Sequence, residues 1–505
     1  MTEVSPTEVS HSEVAVIGAG FAGLTMAHAL GLVGVDDVVL FEGADGVGGT
    51  WRANSYPGAA CDVPSHLYSL SYAPKPDWSR SYASQPEILD YLEDCYDRFD
   101  VRRKVRLGTT VVAATWQEDV QRWRLRDATG AEHESRVLVS AIGLFHTPVE
   151  PDIDGLADFG GTRFHSARWD HTQDLTGRRV AVIGTGASAI QVVPAIAPVT
   201  EHLDVYQRTP AWILPRKDEP FSEEDKRRFA DDPVAARAIR DQLYNEFESA
   251  TTFVHGDPVG ALIADIARGY LERKVPDPEL RARLTPDYPL GCKRTLISSA
   301  FYPAIQRHDV TLVTDRIERV TPTGIVTGDG TERPCDTIVL CTGFRATEYL
   351  RDINVSGRGG TDLHDHWKGV PRAYLGMAVP GFPNLFLMYG PNTNQGGNSI
   401  LIVLEAQARY IAEAVRTLRE RDATSIEVRP DAMRRYVDAL EASLADTVWS
   451  DGVDSYFRTG AGDIVTQLPH SAGWYCERTA RLELHDFTFA PTAEAELRRI
   501  DRPLR

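Results

Sequence analysis

Val14-Ala15-Val16-Ile17-Gly18-Ala19-Gly20-Phe21-Ala22-Gly23 decides the fold of this chain. Four apolar residues run into a G-x-G-x-x-G turn, and an apolar helical stretch follows. Glu42 comes 24 residues after Gly18 and closes the run Val38-Val39-Leu40-Phe41. This reads as strand, tight turn, helix, strand. Backbone N–H groups at the helix start suit a pyrophosphate, and a carboxylate at the tip of the second strand accepts from ribose hydroxyls. The unit recurs. Val180-Ala181-Val182-Ile183 enters Gly184-Thr185-Gly186-Ala187-Ser188-Ala189, and Arg208 comes 24 residues after Gly184, beyond Leu203-Asp204-Val205-Tyr206-Gln207. Alanine in the last motif position is tolerated, and an arginine in place of the acid suits a 2′-phosphate. The expectation is an α/β chain with two Rossmann-like dinucleotide-binding domains, FAD-like first and NADP-like second, and electron transfer between them.

The bulk composition fits that expectation. A chain of 505 residues is too long for one small core. With 42% apolar and 25% charged residues it reads as an ordinary globular protein. The net charge of −18 disfavours nucleic acid or an anionic membrane as a partner. Anionic cofactors then need local positive charge, for which Arg208, Lys293 and Arg294 are candidates. The six cysteines contain no CxxC pair, which argues against a disulfide framework, a metal site or a dithiol reductase and for reduced thiols in a cytoplasmic protein. The nearly uncharged stretch from Val14 to Val35 reads as strand and helix rather than a membrane span.

Organisation follows from the two units. Residues 1–12 read as a disordered tail, and 13–147 as the first part of the FAD-binding domain. Arg122-Trp123-Arg124-Leu125-Arg126 alternates like a hairpin strand, and Val137 to Gly143 reads as a buried strand. Pro148 and Pro151 mark a linker. The NADP-binding domain is expected at 153–217 and again at 291–343, with an all-helical insertion at 218–290. In the insertion, Asp232-Pro233, Asp257-Pro258 and Asp277-Pro278 each give a helix start, and Val234, Ile239, Leu243 and Phe247 keep helical spacing. Residues 344–505 return to the FAD domain and the C-terminal region. There Gly390-Pro391-Asn392-Thr393-Asn394-Gln395-Gly396-Gly397-Asn398 opens an apolar helix whose positive end suits a flavin ring that turns anionic on reduction.

Two further stretches carry a resemblance. Phe159 to Asp170 fits F-x-G-x-x-x-H-x-x-x-W-[PD], and Gly48 to Asp62 fits [AG]-G-x-W-x-x-x-x-[FY]-P-[GM]-x-x-x-D, at every specified position. With the two nucleotide motifs, the chain resembles the type I Baeyer–Villiger monooxygenases over roughly residues 13–480. The resemblance implies that NADPH reduces FAD, that O₂ adds at flavin C4a, and that the peroxyflavin attacks a ketone to give an ester or lactone. N- or S-oxidation is the alternative, and a pyridine nucleotide–disulfide reductase a poor one. The resemblance also implies site residues. Arg294 is the fixed cation of oxygenation, with Asp62 as its carboxylate partner. Lys293 meets the 2′-phosphate. Gly18, Gly20, Gly23, Glu42, Gly49, Thr50, Trp51, Asp62, Tyr68 and Val111 hold FAD. Gly184, Thr185, Gly186, Ala187, Ser188, Gln191, Arg208 and Thr209 hold NADP. His165 falls in an interdomain linker, away from substrate. Near the C-terminus the chain departs from the family, with Ser455-Tyr456-Phe457 for a Ser-Trp-Tyr stretch and Gly460-Ala461-Gly462-Asp463 for a Gly-Ala-Asn-x-Pro-Gly-Lys loop. A cofactor contact at Tyr456 and a cyclohexanone-type preference therefore do not carry over.

Overall fold

The computed structural model describes residues 9–249 and 253–492. Two sheets organise it. The strand Ser10–Ile17 is buried on both faces along Val14 to Ile17. It pairs in parallel with Val38–Phe41, Val14 beside Val38, and with Glu132–Ser140, Val14 beside Val137. A strand without a solvent face reads as an unbroken apolar run, which is why this one was visible in the sequence. Arg122–Asp127 pairs antiparallel with Val111–Gln117 on one side and Glu132–Ser140 on the other. Asn354–Ser356 and Leu385–Leu387 join the same sheet. The helix Phe21–Leu32 is buried nearly all round, packed against the long helix Ile400–Glu420.

The second sheet is all parallel. Its order is Val310–Val313, His202–Tyr206, Arg179–Ile183, Thr337–Leu340, Thr162–His165. These strands come from residues 162–340, between the parts of the chain that build the first sheet. The polypeptide therefore crosses between the sheets twice. The two crossings are laced to each other, with Val149 N donating to Gly343 O at 2.9 Å and Arg345 N to Thr147 O at 3.0 Å.

Three expectations need correction. The tail expected at 1–12 is already strand from Ser10, although residues 1–8 lie outside the described residues. Ser10 and Ser12 place their hydroxyls 2.8 Å from the two ring nitrogens of buried His133, so polar residues extend the strand inward. Gly23 faces no ligand space: a Cβ there would lie 2.1 Å from the Gly18 carbonyl oxygen, so it serves helix–strand packing. Val234 is 76% exposed and off the packed face of its helix Pro233–Ser249. That face carries Ile239, Arg240, Leu243, Tyr244, Phe247 and Glu248, two of them charged.

The helices between 223 and 283 start as their capping chemistry dictates. Asp232, Asp257 and Asp277 accept from Val234 N, Val259 N and Glu279 N at 2.9, 2.7 and 3.0 Å. Arg240 is clamped to the main chain, donating to the carbonyls of His66, Leu67 and Ser69 at 3.0, 3.1 and 2.8 Å. Among the described residues no helix is long and apolar enough to cross a membrane.

Candidate active site

The two glycine turns repeat each other. Gly18 has φ +108° and Gly184 φ +110°. A Cβ at Gly18 would lie 2.6 Å from Ala141 O, and one at Gly184 2.5 Å from Cys341 O. Each turn presses on the end of a neighbouring parallel strand, which only glycine allows. Beyond both turns opens one cavity of about 1750 Å³. Every predicted site residue except Gly23 lines it.

At the first turn, Glu42 accepts from Ala19 N at 2.8 Å and from Ala44 N at 2.9 Å. Each carboxylate oxygen keeps a lone pair for a further donor. Gly49, at φ +51°, passes so close to Gly20 that a Cβ would meet its Cα at 3.0 Å. Trp51 donates from Nε1 to the Tyr68 hydroxyl at 3.1 Å, and burial holds that phenol well above its ordinary pKa. This wall presents glycine backbone, two aromatic rings and one fixed acid, which fits a flavin dinucleotide.

The second turn is more open. Among the described residues, nothing beyond its own chain neighbours lies within 4 Å of a Cβ built at Gly186. Arg208 is 83% exposed, and Asp454 stands 3.3 Å from its guanidinium. Burial, then the charge of Arg208, lowers the pKa of Lys293, whose ammonium lies 5.3 Å from the centre of the Tyr288 ring. Two cations at the lip of an open glycine turn fit a phosphorylated ribose. Gln191 lines the cavity, but its amide is spent joining the two units: it accepts from Tyr56 OH at 3.0 Å and donates to Ala60 O at 2.9 Å.

Between the turns sits the ion pair. Arg294 donates to Asp62 Oδ2 from Nη2 at 2.6 Å and from Nε at 3.0 Å. Both side chains are 30% exposed. Asp62 is the chief reason that the guanidinium is held above its ordinary pKa, against the penalty of burial. A carboxylate beside a half-buried guanidinium also limits the cost of desolvating it. Tyr456 lines the same cavity, where burial raises the pKa of its phenol against the charge of Arg294, and packs edge-on against Phe145 with ring centres 5.8 Å apart. His165 lies off the cavity. It accepts from Ala167 N at 3.1 Å, meets the edge of Phe344, and burial pushes its pKa down to about 4.

The sequence reading missed three residues in this neighbourhood. Arg240 grips the loop that carries Tyr68. Glu248 accepts from Asn398 Nδ2 at 2.8 Å and Gly473 N at 2.7 Å, tying the helical region to the cavity wall and the C-terminal region. Gln395 is buried against the cavity.

Known proteins are similar to this chain in sequence and fold. A family model described as flavin-binding monooxygenase-like matches residues 11–224. A Baeyer–Villiger monooxygenase of Pseudomonas aeruginosa is 44% identical over 89% of this chain and 86% of its own length. The closed crystal structure of cyclohexanone monooxygenase superposes with a TM-score of 0.86 at 30% identity, covering 96% of this chain and all of that one. OTEMO, solved in complex with FAD and NADP, superposes with a TM-score of 0.86 at 28% identity over 95% of this chain and 99% of its own. On that likeness the chain is a member of the Baeyer–Villiger monooxygenases within the flavin-binding monooxygenase-like family.

Proposed function

We propose that the protein uses NADPH and O₂ to insert one oxygen atom beside a ketone carbonyl, giving an ester or lactone. The observation that carries this reading is the single cavity joining both glycine turns, with the Arg294–Asp62 pair between them. Bound FAD supplies the redox chemistry, accepting hydride from NADPH and passing electrons to O₂.

The chain's own residues do the rest. The first turn and Glu42 would hold the flavin dinucleotide, and Thr50, Trp51, Tyr68 and Val111 would line its site. The second turn from Gly184 to Ser188, with Thr209, seats NADP; Arg208 and Lys293 hold its 2′-phosphate. Arg294 stays positive at any working pH and stabilises negative charge that develops on oxygen during attack on the carbonyl. Asp62 fixes its orientation. The reaction is assigned to the cytoplasm, where thiols such as these six free cysteines stay reduced, and the net charge of −18 disfavours nucleic acid as a partner.

Anaerobic addition of NADPH should bleach the bound flavin, and admitting O₂ with a ketone should then yield ester or lactone. Peroxide release at the same rate with and without every ketone tried would defeat the reading.

A further inference from the structure

One short turn of the first unit is gripped by two charges of opposite sign. Residues 64–71 carry Tyr68, which lines the cavity beside Trp51 and accepts from that indole N–H at 3.1 Å. The Tyr68 ring also meets Phe21 of the first glycine turn edge-on, with ring centres 5.6 Å apart. The turn closes on the Pro64 carbonyl, which accepts from Leu67 N and Tyr68 N at 2.9 and 2.8 Å. The cation is Arg240, from the helix Pro233–Ser249. A single guanidinium nitrogen, Nη1, donates to the carbonyls of His66, Leu67 and Ser69. The anion is Glu405, from the helix Ile400–Glu420, and it is 6% exposed. One of its oxygens accepts from Ser71 N at 2.8 Å and the other from the Ser71 hydroxyl. The cation thus meets only acceptors of the turn, and the anion only donors.

Packing does not call for these charges. Leu243, Tyr244 and Phe247 already fasten the helix of Arg240 to the core of the first unit. Burial lowers the pKa of Arg240, and the charge of Glu405 is the first of those that oppose the loss. Arg409, on the same helix as Glu405, stands 4.0 Å from it but is 61% exposed, too wet to neutralise it strongly. Taking an ion out of water is costly, and apolar side chains of similar volume would cover the turn as well. What charged hydrogen bonds add is direction: they fix where the turn lies rather than merely that it is covered. The two grips come from segments far apart in the chain, and neither side chain lines the cavity. Their influence on that cavity passes through the turn and Tyr68.

We infer that Arg240 and Glu405 are positioning residues of the flavin site: together they fix the turn of Tyr68 and, through Tyr68 and Trp51, the seat of the flavin. This rests on the oxygenation reading and deepens it, because hydride arrival and attack on a carbonyl both require the reacting groups to be held in one place.

The test compares FAD-loaded wild type with Arg240→Met, Arg240→Lys, Glu405→Gln and, as a control for mere loosening, Leu243→Ala. The readouts are the absorbance and fluorescence of the bound oxidised flavin and the dissociation constant for FAD, so no turnover is needed. Arg240→Met and Glu405→Gln should each shift the flavin spectrum and raise the dissociation constant by about 3- to 10-fold, the scale of one hydrogen bond passed on to the site. Arg240→Lys keeps a cation at the carbonyls and should recover most of the wild-type spectrum. Leu243→Ala should lower the melting temperature and leave the spectrum unchanged. Wild-type spectrum and affinity in both charge-removing variants, whatever their melting temperatures, overturn the assignment. So does an equal spectral shift in Leu243→Ala, or no recovery in Arg240→Lys. Should Arg240→Met not fold, the isosteric Glu405→Gln decides by the same criteria. Failure of the reaction reading shows separately in the wild type, as bound flavin that NADPH does not bleach.

Discussion

The two nucleotide units share a backbone and differ in how tightly the defining charge is held. Glu42 in the first is tied to two backbone N–H groups at 2.8 and 2.9 Å before any ligand arrives. Arg208 in the second is 83% exposed, and its ion-pair partner, Asp454, is just as exposed. A charge already fixed in place loses little freedom on binding, whereas a free one must be ordered each time. The first unit is built as a permanent seat and the second as a place of exchange. That division suits an enzyme that keeps its flavin and trades its nicotinamide every turnover.

The hardest blow to this comparison falls between the units. If Arg294 belongs to neither seat, Arg294→Ala should leave flavin bleaching by NADPH nearly intact and cut ester formation by about 100- to 1000-fold. Stopped-flow reduction and product yield separate the two steps, and a parallel loss in both would place Arg294 in the nicotinamide seat.

Acid should weaken the first half more than the second. Burial holds His66 and His133 of the first half, and His165 of the second, at a pKa of about 4. These rings are neutral in the fold but titrate near 6.5 in the unfolded chain. Their contribution is therefore complete above about pH 6.5 and is lost as the pH falls towards 4, on the order of 2–3 kcal/mol for each ring. Denaturant midpoints from pH 8 to 4 test this. His133→Asn should flatten the profile, and an unchanged slope would remove His133 from the account.

At the exchange site, Arg208→Ala should raise KM for NADPH over that for NADH by about 10- to 150-fold, the worth of one charged hydrogen bond to phosphate. Equal changes for both nucleotides would mean that Arg208 does not read the phosphate. The smallest effect is expected at its neighbour. Asp454→Asn removes a negative charge that competes with the incoming phosphate, and NADPH should bind more tightly by up to about 5-fold, the range of an exposed ion pair. Weaker binding in that variant would make Asp454 a support for Arg208 rather than a rival.

What was legible in the sequence was legible for physical reasons. Buried parallel strands show as Val14 to Ile17 and Val180 to Ile183, and turns of φ near +110° demand Gly18 and Gly184. The charges at Glu42 and Arg208 follow at a spacing set by strand and helix length. The long signatures led to Asp62 and Arg294. The rest depends on distant chain segments. Arg240 and Glu248 sit on a helix where charge ordinarily means solvent, and it takes the carbonyls of His66, Leu67 and Ser69, and the Asn398 amide with the Gly473 N–H, to give them a purpose. Gln191 matches a cofactor position, yet its amide is taken by Tyr56 and Ala60. Gln395 resembles any loop amide until its burial is known.

The laced double crossing between the sheets has a mechanical consequence. Two strands bonded edge to edge, Val149 to Gly343 and Arg345 to Thr147, form a ribbon rather than a string. A ribbon flexes across its flat face and resists shear within its plane. With the Gln191 bonds to Tyr56 and Ala60 and the Arg294–Asp62 pair also joining the two halves, the ribbon opposes sliding of one half past the other and keeps the two glycine turns facing one cavity.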